Sequence, residues 1–335
     1  MVTIKDIAKY TELSPSTVSI VLRGLGKKRN ISESTINKVT EAAVKLGYTP
    51  NMQSKLLRSN LPNLPVITLF WDASARQDTL SRFLAGLQDS LDRHDYNYGL
   101  LINPYRIGHL DEAITQRTLT GSNGIIICNA SENDMEYLEQ NDFPIPIVLY
   151  NRYSKKYPTV TMNDEEIGKI PAEVFLRHSK KHPALLTSKA TFNGMNIREN
   201  VFKYTLNESG INILEKIEVT DTLEGGYQGA LRLLDSSTLP DCLFCTSDNI
   251  AFGALKAFNE RKILIPQQLE IISVGNGMKQ HEEYSIPSLS VVGLPIEQMA
   301  DACLTRISRA ITAFDTTPDM QQFHVEYISR SSSLV

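Results

Sequence analysis

The 335-residue chain contains no apolar run of the roughly 18 residues that a membrane span needs. Its opening stretch, MVTIKDIAKY, also lacks the apolar block of a secretory leader. Membrane insertion and export are therefore set aside, and the cytoplasm is the expected location. Only four cysteines are present. Cys242 and Cys245 have the C-x-x-C spacing of a redox pair or half a zinc site. They sit, however, in the apolar run CLFC, which reads as a buried strand whose positions three apart point to opposite faces. No second cysteine pair accompanies them, the six histidines are scattered, and His178 with His182 reads as a solvated helical face. Neither G-x-G-x-x-G nor a P-loop occurs, GGYQG at 225–229 is a poor phosphate cradle, and no Ser/His/Asp grouping has spacing support. An enzyme is not expected, nor is a metal or cofactor.

Charge, by contrast, is distributed unevenly. Residues 1–60 hold ten Lys and Arg against four Asp and Glu, whereas residues 61–335 hold 24 against 34. A basic head on an acidic body points to a polyanionic partner for the head alone.

The head has a legible local plan. Thr3, followed three residues later by Asp6, is a capping-box-like start, and Ile4, Ile7 and Ala8 have the spacing of one buried helical face. That helix is expected to end near residues 11–12. Ser14 then offers a second N-cap, with Pro15 at the first helical position where its missing N–H costs nothing. In the segment LSPSTVSIVLRG, Val18, Val21 and Leu22 form the buried stripe, and Gly24 ends the helix. Ser32 opens a third helix with apolar positions Ile36, Val39, Ala43 and Leu46, closed by Gly47. Two short helices joined by a tight turn, with a third packed across them, make a helix-turn-helix, whose second helix enters the DNA major groove by its N-terminal end. Hydroxyl side chains and free N–H groups at that end suit phosphates and base edges.

The segments TIKDIAKYTELSPSTVSIVLRG and ISESTINKVTEAAVKLGYTPN resemble the DNA-binding head of the LacI/GalR (lactose-repressor) family nearly position for position. The resemblance implies that Pro15, Ser16 and Ile20 occupy base-reading positions. It implies that Thr3, Thr17, Ser19, Arg23, Tyr48 and Asn51 support DNA contact. Ile20 stands where the family often has a basic or imidazole side chain, so it reads either as an apolar contact to a thymine methyl or as a core residue. Lys27, Lys28 and Arg29, in a loop longer than is common, add candidate phosphate contacts. Residues 50–61 align with a hinge that becomes helical on the operator and wedges a leucine into the minor groove, here Leu57 beside Leu56. The other reading is a plain linker with both leucines packed on the body.

Beyond the hinge, apolar strands alternate with helical stretches. Candidate strands are 65–71, 97–103, 124–130, 146–151, 183–188, 242–247 and 270–276. Seven or more in this arrangement predict two doubly wound α/β lobes with parallel sheets, and a ligand cleft between them at the carboxyl ends of strands. NGIII, PIVLYNR, RENVFKYTLNESGI and IPSLSVV stand in the order of the LacI/GalR effector domain, which is similar to periplasmic sugar-binding proteins. The organisation expected is thus a helix-turn-helix head at 1–49, a hinge at 50–61, and at 62–335 a two-lobed, periplasmic-binding-protein-like (type I) effector and dimerisation domain.

The same resemblance assigns Trp71, Asp72, Asn151, Arg198, Ser247, Asp248 and Asn276 to effector binding, with Trp71 read equally as a stacking platform or as core. Gly277 and Leu294 replace polar residues common in the family, and Asn163–Asp164 reverses its usual Asp-Asn order. The chain accordingly reads as a transcriptional regulator, a repressor of a carbohydrate-utilisation operon. It is expected to bind double-stranded operator DNA as a homodimer or higher oligomer and to answer to a sugar or sugar derivative. The alternatives are a nucleoside, purine or other non-sugar effector, or a sugar-binding transport protein. If Leu57 is the wedge, Leu57→Ala should weaken specific operator binding far more than binding to random duplex, because the wedge acts only where the hinge folds on a deformable centre. Gel shifts on the two duplexes measure the difference, and equal losses would make Leu57 linker.

Overall fold

The computed structural model describes residues 3–22, 26, 29–46, 64–72, 77–275 and 277–333. The chain divides into two compact units, 1–63 and 64–335. Arg23, Gly24, Lys27, Lys28, Gly47, Tyr48, Asn51, Leu56, Leu57 and Asn276 lie outside the described residues.

The first unit contains α1 (Ile4–Thr11), α2 (Pro15–Leu22) and α3 (Glu33–Lys45). Thr3 and Asp6 form the expected reciprocal capping box, with the Thr3 N–H and hydroxyl donating to Asp6 Oδ2 at 2.8 and 2.7 Å. At the start of α2 the Thr17 N–H donates to Ser14 Oγ at 3.1 Å, which confirms Ser14 as the cap. Ile7, Ala8, Val18, Val21, Val39, Ala42 and Ala43 make the core, and Ile4, Leu13, Leu22, Ile31, Ile36 and Leu46 pack against it.

In the second unit the chain runs β1 (Val66–Asp72), α4 (Gln77–Arg93), β2 (Gly99–Tyr105), α5 (Leu110–Ala113), α6 (Gln116–Gly121), β3 (Gly124–Cys128), α7 (Glu132–Gln140), β4 (Ile147–Tyr150) and β5 (Thr159–Met162). It continues through α8 (Asp164–Arg177), β6 (Pro183–Ser188), α9 (Asn193–Glu208), β7 (Glu215–Val219), α10 (Leu223–Leu234), β8 (Cys242–Cys245), α11 (Asp248–Glu260), β9 (Glu270–Gly275), α12 (Lys279–Tyr284) and β10 (Ser290–Gly293). Last come α13 (Ile296–Thr312), β11 (Met320–Phe323) and β12 (Glu326–Ile328). Two six-stranded sheets result, in the orders β11-β5-β4-β3-β1-β2 and β12-β10-β9-β8-β6-β7. All described pairings are parallel except β10 with β12.

The chain passes between the sheets three times, after β5, after β10 and after β11. Helices accompany the first two crossings, and α8 packs on α9 and α13 on α4. Gly168 permits the first of these contacts, because a Cβ there would lie 2.1 Å from the Arg198 carbonyl oxygen. An ionic bridge also joins the lobes. Arg82 of α4 grips Glu297 through Nε and Nη2 at 2.8 and 2.7 Å, and Lys279 of α12 donates to the same carboxylate at 2.9 Å. Burial alone would raise Glu297, but these cations outweigh it and hold the carboxyl at about 2.

Two expectations about the minor residues resolve differently. CLFC is a fully buried strand, and its cysteines do face opposite ways, Cys242 and Cys245 joining separate core clusters. His178 and His182 do not share a solvated helical face. The α8 helix ends at Arg177, and His178 Nδ1 lies 2.7 Å from the fully buried Glu270, which also takes Lys180 Nζ at 2.9 Å and the Ser333 hydroxyl at 2.7 Å. A buried carboxylate demands such partners, and that demand draws the histidine inward.

Glu282 on α12 is buried beside Asp248, with Arg330 Nη1 at 3.6 Å from Oε2 and with Oε1 lacking a partner among the described residues. Burial first, and then the Asp248 carboxylate, push the Glu282 carboxyl up to about 7, against the pull of Arg330 and Arg82. An acid whose folded value is raised keeps its stabilising proton below its unfolded value and loses that contribution as pH climbs through the folded one. Stability should therefore fall between about pH 4.5 and 7 by an amount of order 1–3 kcal/mol attributable to this group. Melting curves of wild type and Glu282→Gln across pH 5–8 should diverge upward for the variant as pH rises; parallel curves would remove Glu282 from the titration.

Candidate functional site

In the head, Pro15 and Ser16 are exposed at the N-terminal end of α2, and Thr17, Ser19 and Ile20 are half-buried. The Thr17 hydroxyl shares a 2.8 Å hydrogen bond with Ser14, which fixes its position over the first turn. Ile20 is absent from the head core and from the side chains packed against it, whereas Val18 and Val21 are buried. Thr3 is held by Asp6, whose carboxyl is lowered by those hydrogen bonds.

In the second unit, a cavity of about 330 Å³ opens between the two sheets. The ends of strands build its walls from both sides, as a doubly wound fold requires. Trp71 and Asp72 come from the end of β1, Asn129 from the turn after β3, Asn151 and Arg152 from the turn after β4, and Met162 from β5. Facing them are Phe192, Met195 and Arg198 around the start of α9, Asp221 after β7 and Thr246 after β8. Leu294 and Ile296 supply apolar wall at a crossing. Asn151 has φ of 54°, a left-handed turn that asparagine adopts readily and that swings the chain off the strand.

Trp71 is both core and wall. Its ring packs against Phe83 at 5.7 Å, while Nε1 is buried and has no partner among the described residues. Asn129 Nδ2 and Thr246 Oγ1 are likewise buried and unpartnered. Three cavity-lining polar groups thus lack the hydrogen bond that buried donors ordinarily make. Arg198, 7% exposed, donates from Nε to Asp164 Oδ1 at 2.7 Å and touches Met162 Sδ at 3.6 Å through Nη2. Arg152 is buried, donates to the Ala130 and Asn151 carbonyl oxygens, and stacks over Phe192 at 4.1 Å. Burial pushes its guanidinium down to about 10.

Of the residues assigned from sequence, Trp71, Asp72, Asn151 and Arg198 line this cavity, and Ser247 and Asp248 do not. The Ser247 hydroxyl donates to Asp221, one layer behind the wall. Asp248 is fully buried and accepts from the Asn249 and Met278 N–H groups at 3.0 and 3.1 Å. Sequence reasoning passed over Asn129, Arg152, Phe192, Asp221 and Thr246. The reversed Asn163–Asp164 pair finds an explanation: Asn163 Oδ1 caps α8 by accepting from the Glu165 and Glu166 N–H groups, and Asp164 turns inward to Arg198.

A helix-turn-helix head and a two-lobed body with a polar cleft define a ligand-responsive, DNA-binding regulator. Residues 3–51 match the family described as bacterial regulatory proteins, lacI family, and residues 172–333 match the periplasmic binding protein-like domain. A LacI family transcription regulator from Clostridium acetobutylicum is 32% identical, with a TM-score of 0.75 over 79% of this chain and 99% of that one. The "Probable HTH-type transcriptional repressor ExuR" of Bacillus subtilis is 26% identical over 99% of this chain and 98% of its own length. The "HTH-type transcriptional repressor PurR" of Vibrio atlanticus is 23% identical over 99% and 98%. The chain belongs to the LacI family of bacterial transcription regulators.

Because Asp164 and Arg198 are both buried, removing one partner strands the other, at a cost of about 3–5 kcal/mol. Asp164→Ala should lose that much in denaturant unfolding. The double variant Asp164→Leu/Arg198→Met should lose markedly less than the two single changes together, since neither charge is then buried alone; strict additivity would mean the pair is not coupled.

Proposed function

We propose that the protein is a repressor that holds a palindromic operator as a homodimer in the cytoplasm, and that a small polyhydroxylated effector, a sugar or sugar derivative, binds between its lobes to change that hold. The observation that carries the effector reading is the set of polar groups lining the cleft, three of them buried without a hydrogen-bond partner among the described residues. Trp71 Nε1, Asn129 Nδ2 and Thr246 Oγ1 offer hydrogen bonds, Arg152 and Arg198 offer charged donors, and Asp72 and Asp221 offer acceptors. A ligand carrying several hydroxyls satisfies both kinds at once, and a site built this way discriminates strongly for such groups. No cofactor is required.

Exposed Pro15 and Ser16, with Ile20 beyond them on α2, support the base-reading assignment, and residues 1–49 serve as the head with 50–61 as hinge. Dimer formation is supported by apolar side chains open to solvent in both lobes, Leu101 and Ile102 on the edge strand β2 and Leu223, Tyr284 and Ile286 in the other lobe. A head of some fifty residues also offers too little contact area for tight specific binding unless two act together.

Ligand can shift operator affinity only by its differential affinity for two states of the protein, typically about 1–3 kcal/mol, or roughly 5–150-fold. Arg198→Ala should keep operator binding within a few-fold of wild type and lose the response to effector. Operator titrations with and without mono- and disaccharides and nucleosides test this. A nucleoside as sole active compound would overturn the sugar reading, and an unaltered response in Arg198→Ala would move the effector site elsewhere.

A further inference from the structure

Resting on the reading of the interlobe cavity as the effector site, we propose that the effector is a sugar acid whose carboxylate is taken by Arg152, with its hydroxyls directed to the acidic end of the cleft. Arg152 is 6% exposed, yet no carboxylate pairs with it among the described residues. Its contacts are two backbone carbonyls and the face of Phe192, and Nη2 has no partner among the described residues. The other guanidinium in the cavity behaves differently. Arg198, whose charge also bears on Arg152 and whose Cζ lies 5.6 Å from the same Phe192 ring, is neutralised by Asp164. A buried cation with no counter-ion is unfavourable until an anion arrives, and a guanidinium presents its donors in the planar fork that suits a carboxylate.

The order of the strands separates the charges along the cleft. Arg152 follows β4, and Asp164 with Arg198 lies toward β5, whereas Asp72 ends β1, two strands from β4. At a strand spacing of about 4.8 Å, that places the acidic end roughly 10 Å away. Asp221 follows β7, the edge strand of the other sheet. A neutral sugar could use the acidic end but would leave Arg152 without its counter-ion. A dianionic phosphate would exceed the single unpaired positive charge. One carboxylate at one end and hydroxyl donors at the other match both ends.

The test is titration calorimetry on the full-length protein with D-galacturonate, D-glucuronate and D-gluconate, each against D-galactose, D-glucose and D-glucose 6-phosphate. At least one acid should bind tenfold or more tightly than its neutral counterpart and than the phosphate. Arg152→Gln should abolish that preference, and Arg152→Lys, which keeps the charge should the glutamine variant fold poorly, should retain part of it. A neutral sugar or the phosphate binding as well as the acids, an Arg152→Gln variant that weakens acid and neutral sugar equally, or no binding by any of the three acids would overturn the proposal. Neutral sugar binding as tight as that of the acids, and lost in Arg198→Ala, would overturn the carboxylate while leaving the cavity reading intact. Acid binding unchanged in both arginine variants would overturn the two together.

Discussion

The functional half of this protein depends on one topological constraint: the chain passes from one sheet to the other three times, and the crossings hold the carboxyl ends of both sets of strands toward a common cleft. Parallel strands bring their loops to the same end of a sheet, so two such sheets joined there share a single lining. The first crossing also carries the charge that orders this lining. Asp164 begins α8 and binds Arg198 of α9, and Gly168 lets the two helices lie close enough for that pair to form. Burial makes the pair costly to break and so fixes the arginine in place.

Around that fixed point the cleft is built unevenly. Its arginines stack on Phe192, its apolar wall comes from Leu294 and Ile296, and its carboxylates stand toward β1 and β7. The bridge of Arg82, Glu297 and Lys279 spans from the helix after β1 to the helix before β10, linking the lobes outside the cleft. A ligand that moved the lobes would do so against these contacts, and it would shift the population only by its differential affinity for the two arrangements.

Much of this was legible in the sequence where local chemistry decides it. Caps at Thr3 and Ser14 and the helical periods of the head depend only on neighbours in the chain, and the structure reproduces them. The seven expected strands are apolar runs, and they correspond to β1, β2, β3, β4, β6, β8 and β9. Strands such as TVTM, EKIEV and MQQF are not legible in the sequence, because their polar residues mask the pattern; β7 is an edge strand, and β11 has mostly exposed residues at the edge of its sheet. The site was half legible. Trp71, Asn151 and Arg198 follow from family resemblance at strand ends and helix starts, but the resemblance points to Ser247 where Thr246 lines the cavity, since successive side chains at the end of an extended segment point opposite ways. Arg152 and Asn129 gain their meaning from the facing lobe, which no local pattern encodes.

Trp71 is the only tryptophan in the chain and forms part of the cavity wall, with Nε1 unpartnered among the described residues, so its emission reports directly on that cleft. The most direct measurement of the central claim is a titration of effector into the operator-bound protein, with Trp71 emission and operator release followed together. Emission should change over the same ligand concentrations as operator affinity, with one midpoint for both. Operator affinity that changes while Trp71 emission stays constant would contradict the account.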